Sequence, residues 1–130
     1  MADVKKIVEG FKNLVDAINK SDSAKSILRN WLKGYVGRIH MFEIDDRKFH
    51  IIFWPDRAKF VDGESHTPDL VIRATADAWT DMVTGKKKWS DLLGEGTLFI
   101  IGAANEIQPF IQIAFRILPL IWSWNDISYL

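Results

Sequence analysis

Apolar residues in the first third of the chain recur with the spacing of two amphipathic helices. Between residues 4 and 18 they fall three and four positions apart, and lysines and acidic residues occupy the opposite side. Asp3 is a suitable N-cap for this helix. Residues 21–23 interrupt the pattern, and a shorter apolar stripe follows over residues 24–32. We expect a second helix there, with its end at Gly34, because glycine favours the conformation that closes a helix.

From Tyr35 onwards the sequence has the two-residue period of a β-strand. One face carries Val36, Arg38, His40, Phe42 and Ile44, which alternate with Ile39, Met41 and Glu43 on the opposite face. The alternation runs to residue 44, stops at the turn-forming pair Asp45–Asp46, and resumes from Phe49 until Pro55 ends it. The sequence therefore predicts a β-hairpin.

The length of the turn sets the pairing of the two hairpin strands. A two-residue loop places Phe42 opposite Phe49 and Glu43 opposite Lys48. An aromatic pair and a pair of opposite charges both stabilise this register. We therefore expect this register in the sheet.

Shorter patterns, most of them bounded by glycines and turn-forming residues, predict the remaining elements. These are a third strand at 57–61, a fourth at 70–74, a helix from the cap Thr75 to Gly85, a helical turn at 89–93 before Gly94, a fifth strand at 97–101, and a last helix from the capping box Asn105–Gln108 to Pro119. This order of elements predicts an α+β fold with a largely antiparallel, five-stranded sheet.

Length and composition predict one domain over residues 1–130, because two domains of half this size would bury poor cores. The absence of cysteine excludes disulfides and thiolate metal sites. The 17 basic residues balance the 17 acidic ones, so we expect no nucleic-acid partner and at most transient membrane contact. Neither the charged N-terminus nor the interrupted apolar run at 107–124 is typical of a signal peptide or a membrane span, so we expect a cytoplasmic protein.

Catalytic chemistry finds little support in the sequence. His40, His50 and His66 are the three histidines, and none has the spacing of a helical metal site. We expect His40 to be a strand residue near the edge of the sheet. Gly85–Lys86 lacks the flanking residues of a phosphate-binding loop, and the run Lys86–Lys88 is typical of a solvated face. The sequence therefore predicts neither an enzyme nor a cofactor.

Residues 67–111, which begin TPDLVIRATADAW, resemble the second half of sterol carrier protein-2 (SCP-2) domains. In that family an aspartate precedes an apolar strand, a Ser or Thr opens a helix, Gly-Lys ends it, and a glycine-bounded strand leads into an apolar closing helix. Here Pro68–Asp69, Thr75, Gly85–Lys86, Gly96 and Gly102 stand at those positions. The order of elements agrees with the family along the chain.

The resemblance implies helices over one face of the sheet and an apolar tunnel between the two layers. Such a tunnel would bind a fatty acid, an acyl thioester, a sterol or an isoprenoid-like lipid, so the protein would act as a lipid carrier or reservoir. The residues expected to line it are Phe42, Ile51, Phe53, Leu70, Ile72, Trp79, Met82, Val83, Trp89, Leu92, Leu93, Leu98, Ile100, Ile107, Phe110, Ile111, Ala114 and Phe115. Each of them taken singly also suits an ordinary core position.

The chain departs from the family pattern on the opposite face of the sheet. Fifth-strand positions that are usually polar in the family are Phe99 and Ile101 here, and the C-terminal tail is rich in tryptophan. The residues predicted to share that apolar face are Ile39, Met41, Ile52, Trp54, Phe99 and Ile101. Because such a patch is seldom left in water, we expect the tail from Leu120 to Leu130, a second copy of the chain or a partner enzyme to cover it. An alternative function therefore stays open: a dimerisation module or an accessory enzyme subunit with a filled or vestigial cavity.

Overall fold

The computed structural model describes residues 3–33, 36–103 and 105–108. Within these ranges the chain forms α1 (Val4–Lys20), α2 (Asp22–Trp31), β1 (Arg38–Ile44), β2 (Arg47–Trp54), β3 (Arg57–Asp62), β4 (Leu70–Ala74), α3 (Ala76–Val83), α4 (Trp89–Glu95) and β5 (Leu98–Gly102). A helical turn at 105–108 follows β5. The α+β class and the five-stranded sheet are thus confirmed. The predicted helix end at Gly34, the last helix beyond residue 108 and the tail lie outside the described residues.

Ser21 separates the first two helices by serving both of them. Its N–H donates to the Ile18 carbonyl at the end of α1, and its hydroxyl accepts the Ala24 N–H at the start of α2. At the other end of α1 the predicted N-cap is confirmed, since the Asp3 carboxylate accepts the Lys5 N–H at 2.9 Å. A single serine therefore takes the place of a loop, which keeps the two apolar stripes close together.

The sheet has the strand order β3-β2-β1-β4-β5, so β1 lies in its middle. β1 pairs antiparallel with β2 and parallel with β4, and the two outer pairs, β2–β3 and β4–β5, are antiparallel. The predicted hairpin register is confirmed, because Phe42 pairs with Phe49 and Glu43 with Lys48. Asp45 adopts a φ of 53° in the two-residue turn, a left-handed conformation that aspartate tolerates better than most residues.

Residues 63–69 cross the outer face of the sheet, which is the face away from α1 and α2. They lead from the end of β3 at one edge to the start of β4 beside β1. The Gly63 carbonyl lies 2.9 Å from Nδ1 of His50 at one end of this loop, and the Asp69 carboxylate accepts the Ile39 N–H at 2.8 Å at the other. This crossover makes β4 parallel to β1 and places β4 and β5 on the opposite side of β1 from β2 and β3.

An aromatic cluster joins the helical layer to the inner face of the sheet. The centroid of the Phe11 ring lies 4.6 Å from that of Phe42, 4.9 Å from that of Phe49 and 5.0 Å from that of Trp79. All four side chains are buried. Aromatic pairs at such distances contribute about 0.5–1.5 kcal/mol each beyond the area they bury. The cluster therefore fixes α1 over the central strands and holds α3 in the same layer.

Two predicted boundaries are wrong by a few residues. β1 begins at Arg38, and Val36 lies before it with 88% of its surface exposed. The helical turn expected at 89–93 continues to Glu95, because the glycine that closes it in a left-handed conformation is Gly96 and not Gly94.

The last two predicted elements are shifted in opposite directions. β5 begins and ends one residue later than predicted, at Leu98 and Gly102. The helical turn that follows begins earlier, since the Ile107 N–H donates to the Ala103 carbonyl. Asn105 is therefore inside this turn and is not its N-cap.

His40 lies in the central strand, so the expectation that it stands near an edge is wrong. Its ring faces the helices, and its centroid is 5.3 Å from that of Trp31 and 5.1 Å from that of Phe53. Only 1% of the residue is exposed. Burial, and after it the positive charge of Arg38, lowers the pKa of His40 from 6.5 to about 3. The imidazole is therefore neutral in the folded protein at neutral pH.

The edge of the sheet at β3 is closed by a side chain of α1. Asn19 donates from Nδ2 to the Ala58 carbonyl and accepts the Ala58 N–H at Oδ1, each at 2.8 Å. Both backbone groups of Ala58 that would otherwise await a further strand are thereby satisfied. The same contact attaches the end of α1 to the sheet.

We predict that His40 makes the fold sensitive to acid. Below pH 6.5 the unfolded chain binds a proton at this histidine, whereas the folded chain does not until about pH 3, so unfolding takes up a proton in that window. The free energy of unfolding should then fall by about 1 kcal/mol per pH unit from this residue alone. Urea titrations between pH 7.5 and 4.5 measure it: His40→Leu should flatten the dependence, and His66→Leu, at an exposed position, should not. Equal slopes in all three proteins would contradict the assignment.

We predict that Asn19→Ala destabilises the protein by about 1–3 kcal/mol, because it removes two hydrogen bonds and leaves the backbone of Ala58 without them. Asn13→Ala, at an exposed position of the same helix, is the matched control and should stay within about 0.5 kcal/mol. Urea unfolding with an unchanged m-value measures the difference. Equal stabilities of the two variants would show that the two hydrogen bonds between Asn19 and Ala58 do not contribute to the free energy of unfolding.

Candidate apolar ligand-binding site

The inner face of β4 and β5 forms one wall of the candidate site. The strand register pairs Ile72 with Ile100 and Ala74 with Leu98, so these side chains point together into the helical layer. Directly after β4, the Thr75 hydroxyl accepts the Ala78 N–H at 3.0 Å and turns the chain into α3. The strand and the helix that follow one another in sequence therefore enclose the same apolar interior.

Most of the predicted lining residues that the structure describes lie in this interior. The buried ones are Phe42, Ile51, Phe53, Leu70, Ile72, Trp79, Leu92 and Leu98. Those that are partly buried and pack against the core are Met82, Trp89, Ile100 and Ile107. Leu93 is 45% exposed. The Val83 side chain and residues Phe110, Ile111, Ala114 and Phe115 lie outside the described part of the chain.

The four partly buried residues all belong to elements that follow β4 in the chain. Met82 lies on α3, Trp89 on α4, Ile100 on β5, and Ile107 on the helical turn after β5. β5 is an edge strand, and α4 contacts it. Each of the four side chains packs against the core and keeps contact with solvent. These four residues therefore form the candidate entrance to the apolar interior.

The other end of the inner face is filled by the protein's own side chains. Phe42 and Trp79, which the sequence predicts as lining residues, both contact Phe11 of α1. Phe60 stacks on Phe49 at 5.3 Å between ring centroids. Phe11 was missing from the predicted lining, although its place on the apolar stripe of α1 marks it as an inward residue. Phe42 and Trp79 form the inner boundary of the candidate site.

A largely buried ion pair borders the candidate entrance. Nε of Arg38 lies 2.8 Å from Oε1 of Glu106, and the two side chains are 17% and 14% exposed. Because Glu106 precedes Ile107, the pair holds the helical turn that carries Ile107 against the start of β1. Removing one member would leave a poorly solvated charge, so this anchor is costly to break. This ion pair was not predicted, because no pattern in the sequence links residues so far apart.

The outer face of the sheet carries the predicted apolar residues. Ile39 pairs with Ile52 on this face. Met41 is buried, with 7% exposed, whereas Phe99 and Ile101 on β5 are 46% and 47% exposed. The part of the patch that meets solvent most therefore lies on the edge strand.

Within residues 3–33, 36–103 and 105–108, no three His, Asp or Glu residues come together in a way that could hold a metal ion. In the same part of the chain, no helix combines the length and the apolar character needed to cross a membrane. His40 is enclosed by Trp31 and Phe53. The described side chains of the candidate site are aliphatic and aromatic.

Solved structures share this fold. A UbiJ-SCP2 ubiquinone synthesis protein matches with a TM-score of 0.62 and 17% identity, over 85% of this chain and 95% of that one. The sterol carrier protein domain 2 of Helicoverpa armigera matches with a TM-score of 0.63 and 15% identity, over 91% and 92%. Sterol carrier protein 2 like 2 from Aedes aegypti matches with a TM-score of 0.56 and 12% identity, over 83% and 95%. At these identities the likeness shows the fold alone.

Sequence comparison gives the family. No curated protein sequence matches the chain. The sequence model of the SCP-2 sterol transfer family matches residues 15–114, which include α3, α4 and all five strands. With a match over most of its length and the corresponding fold, this chain belongs to the SCP-2 sterol transfer family, a family of lipid-binding domains.

Proposed function

We propose that this protein binds an apolar lipid between the sheet and the helical layer and acts as a carrier or reservoir for it, without catalysing a reaction. The observation that carries the proposal is the candidate entrance: Met82, Trp89, Ile100 and Ile107 are apolar side chains that pack against a buried apolar interior and keep contact with solvent. A fatty acid, an acyl thioester or an isoprenoid-like lipid fits this chemistry, as does a sterol. A cytoplasmic location is part of the proposal.

Burial alone supplies enough free energy for this function. Each methylene removed from water contributes about 0.8 kcal/mol, so a ten-carbon chain gains roughly 8 kcal/mol. Association and ordering reduce that gain, so a net gain of about 8 kcal/mol, which corresponds to a dissociation constant of about 1 µM, requires a longer chain. No polar recognition of the lipid's hydrocarbon chain is required, which suits a site whose described walls are aliphatic and aromatic.

We predict that affinity rises with ligand chain length. Saturated fatty acids of eight, ten, twelve and sixteen carbons should quench tryptophan fluorescence at successively lower concentrations, because Trp79 and Trp89 lie at the candidate site and each added methylene is buried. Calorimetry should give the same order, and lipid extracted from the purified protein should be identifiable by mass spectrometry. No response to saturating ligand from fluorescence, calorimetry or thermal stability would refute the carrier function.

We predict that Met82→Glu weakens fatty-acid binding by about tenfold or more, because it places a carboxylate at an apolar wall. Ser90→Glu is the matched control: it adds the same charge at an exposed position of α4 and should bind like the unaltered protein. Circular dichroism verifies that both variants fold. Equal losses in both variants would indicate a general charge effect instead of a contact with the ligand.

A second candidate function is that of an interaction module or accessory subunit of an enzyme. The exposure of Phe99 and Ile101 on the outer face favours it. The similar UbiJ-SCP2 structure is described as a ubiquinone synthesis protein, which makes an enzyme partner a reasonable class to test. If the folded protein binds none of the lipids tested, this candidate function is favoured over that of a carrier.

A further inference from the structure

The two edges of the sheet differ in how they are protected. At β3 the backbone of Ala58 is bound by Asn19, and the strand carries the charged residues Arg57 and Lys59. Charged side chains and a covered backbone are the usual devices that prevent an edge from pairing with another strand. At the other edge, β5 has the sequence LFIIG, with no charged residue and no proline. Among residues 3–33, 36–103 and 105–108, this second edge therefore has none of those devices.

The backbone of β5 presents hydrogen-bonding groups to this open edge. The Thr75 N–H donates to the Thr97 carbonyl, so Thr97 faces β4. The backbone N–H and C=O groups of successive residues point to alternate sides of a strand. Those of Phe99 and Ile101 therefore also point to β4, whereas those of Leu98 and Ile100 point away from the sheet. Among the described residues, none of the turn and loop hydrogen bonds reaches the outward groups of Leu98 and Ile100.

We propose that β5 pairs with β5 of a second copy of this chain, antiparallel and about a twofold axis at Ile100, so that the two sheets become one. Ile100 is the middle residue of β5 and one whose backbone points outward. In this register Ile100 and Ile100 of the second copy exchange both backbone hydrogen bonds. The proposal concerns a surface of the protein and does not rest on lipid binding.

The side chains of β5 are complementary to themselves in this register. On the outer face Phe99 lies opposite Ile101 of the second copy, and Ile101 opposite Phe99 of the second copy. These positions form a non-hydrogen-bonded pair, in which side chains approach most closely. The two large apolar side chains that are nearly half exposed in one chain therefore cover each other. On the inner face Leu98 meets Gly102 of the second copy, which has no side chain to obstruct it.

This complementarity is the reason for choosing a second copy over a different partner. A twofold interface requires one surface to fit itself, and a strand with an aromatic and an aliphatic residue placed symmetrically about its centre meets that requirement. Charges do not oppose the pairing, since Arg73, which neighbours Phe99 on β4, forms an ion pair with Glu43 of its own sheet. The interface is small, so a dimer of micromolar or weaker affinity is expected.

Sedimentation velocity of the full chain from about 5 to 500 µM tests the proposal, with the dimer fraction expected to rise over that micromolar range. Phe99→Glu and Ile101→Lys should each weaken dimerisation by about tenfold or more, because each leaves a charge opposite an apolar residue. An equimolar mixture of the two variants should dimerise again. In the mixed dimer the introduced glutamate of one copy lies opposite the introduced lysine of the other, while the unaltered Ile101 and Phe99 still meet. Recovery in the mixture is specific to this register.

Val36→Glu is the control, because it adds a charge at an 88% exposed valine away from β5 and should leave the dimer unchanged. Thermal unfolding verifies that every variant is folded. A monomer at all concentrations overturns the proposal, as does a dimer that survives Phe99→Glu, or a mixture that stays monomeric. If the unaltered chain is monomeric but Phe99→Glu abolishes capture of an enzyme, the surface belongs to that partner and the second copy is rejected.

Discussion

The packing of Phe11 against Phe42 and Trp79 is the contact on which the rest of the structure depends. It attaches α1 to the central strands and holds α3 in the same layer, so it sets the distance between helices and sheet. Protein interiors keep such distances because bulky side chains do not compress. The inner faces of β4 and β5 carry smaller residues, such as Ala74 and Leu98. This difference in side-chain size agrees with a ligand beside β5, the strand that contributes Ile100 to the candidate entrance.

The sequence predicted the elements whose causes are local. A two-residue turn and the two-residue period of the strands leave one reasonable register for the hairpin, because a slip by one residue would expose Phe42 and Phe49. The position of His40 had a non-local cause. Whether β1 is an edge or a central strand depends on β4, which reaches it through the crossover at 63–69, and nothing within β1 records that neighbour. The predicted end of α4 was wrong for a different reason. Gly94 and Gly96 are equally suitable by residue type to close the helix, and only the left-handed conformation of Gly96 distinguishes them.

For the candidate site, the alternation of side chains along each strand predicted which residues point inward but not which remain accessible to solvent. Ile72 and Ile100 share a face because they pair across β4 and β5, and the alternation of both strands contains that information. Accessibility depends instead on how the helices dock. Phe11 seals one end of the interior, and the ion pair of Arg38 with Glu106 fixes the turn that carries Ile107 at the other side. Both contacts join distant parts of the chain, so patterns within single elements do not reveal them.

Ile100 links the two inferred surfaces. Its side chain lies on the inner wall of the candidate site, while its N–H and C=O point to the open edge of β5. These directions are roughly perpendicular in a β-strand, so a lipid and a neighbouring strand can occupy the same residue without competing for the same atoms. They are nevertheless coupled, because pairing at the edge orders the backbone that positions the wall. A strand fixed on both sides loses less conformational freedom when a ligand binds, so dimer formation and lipid binding should favour each other, by equal free energies in both directions.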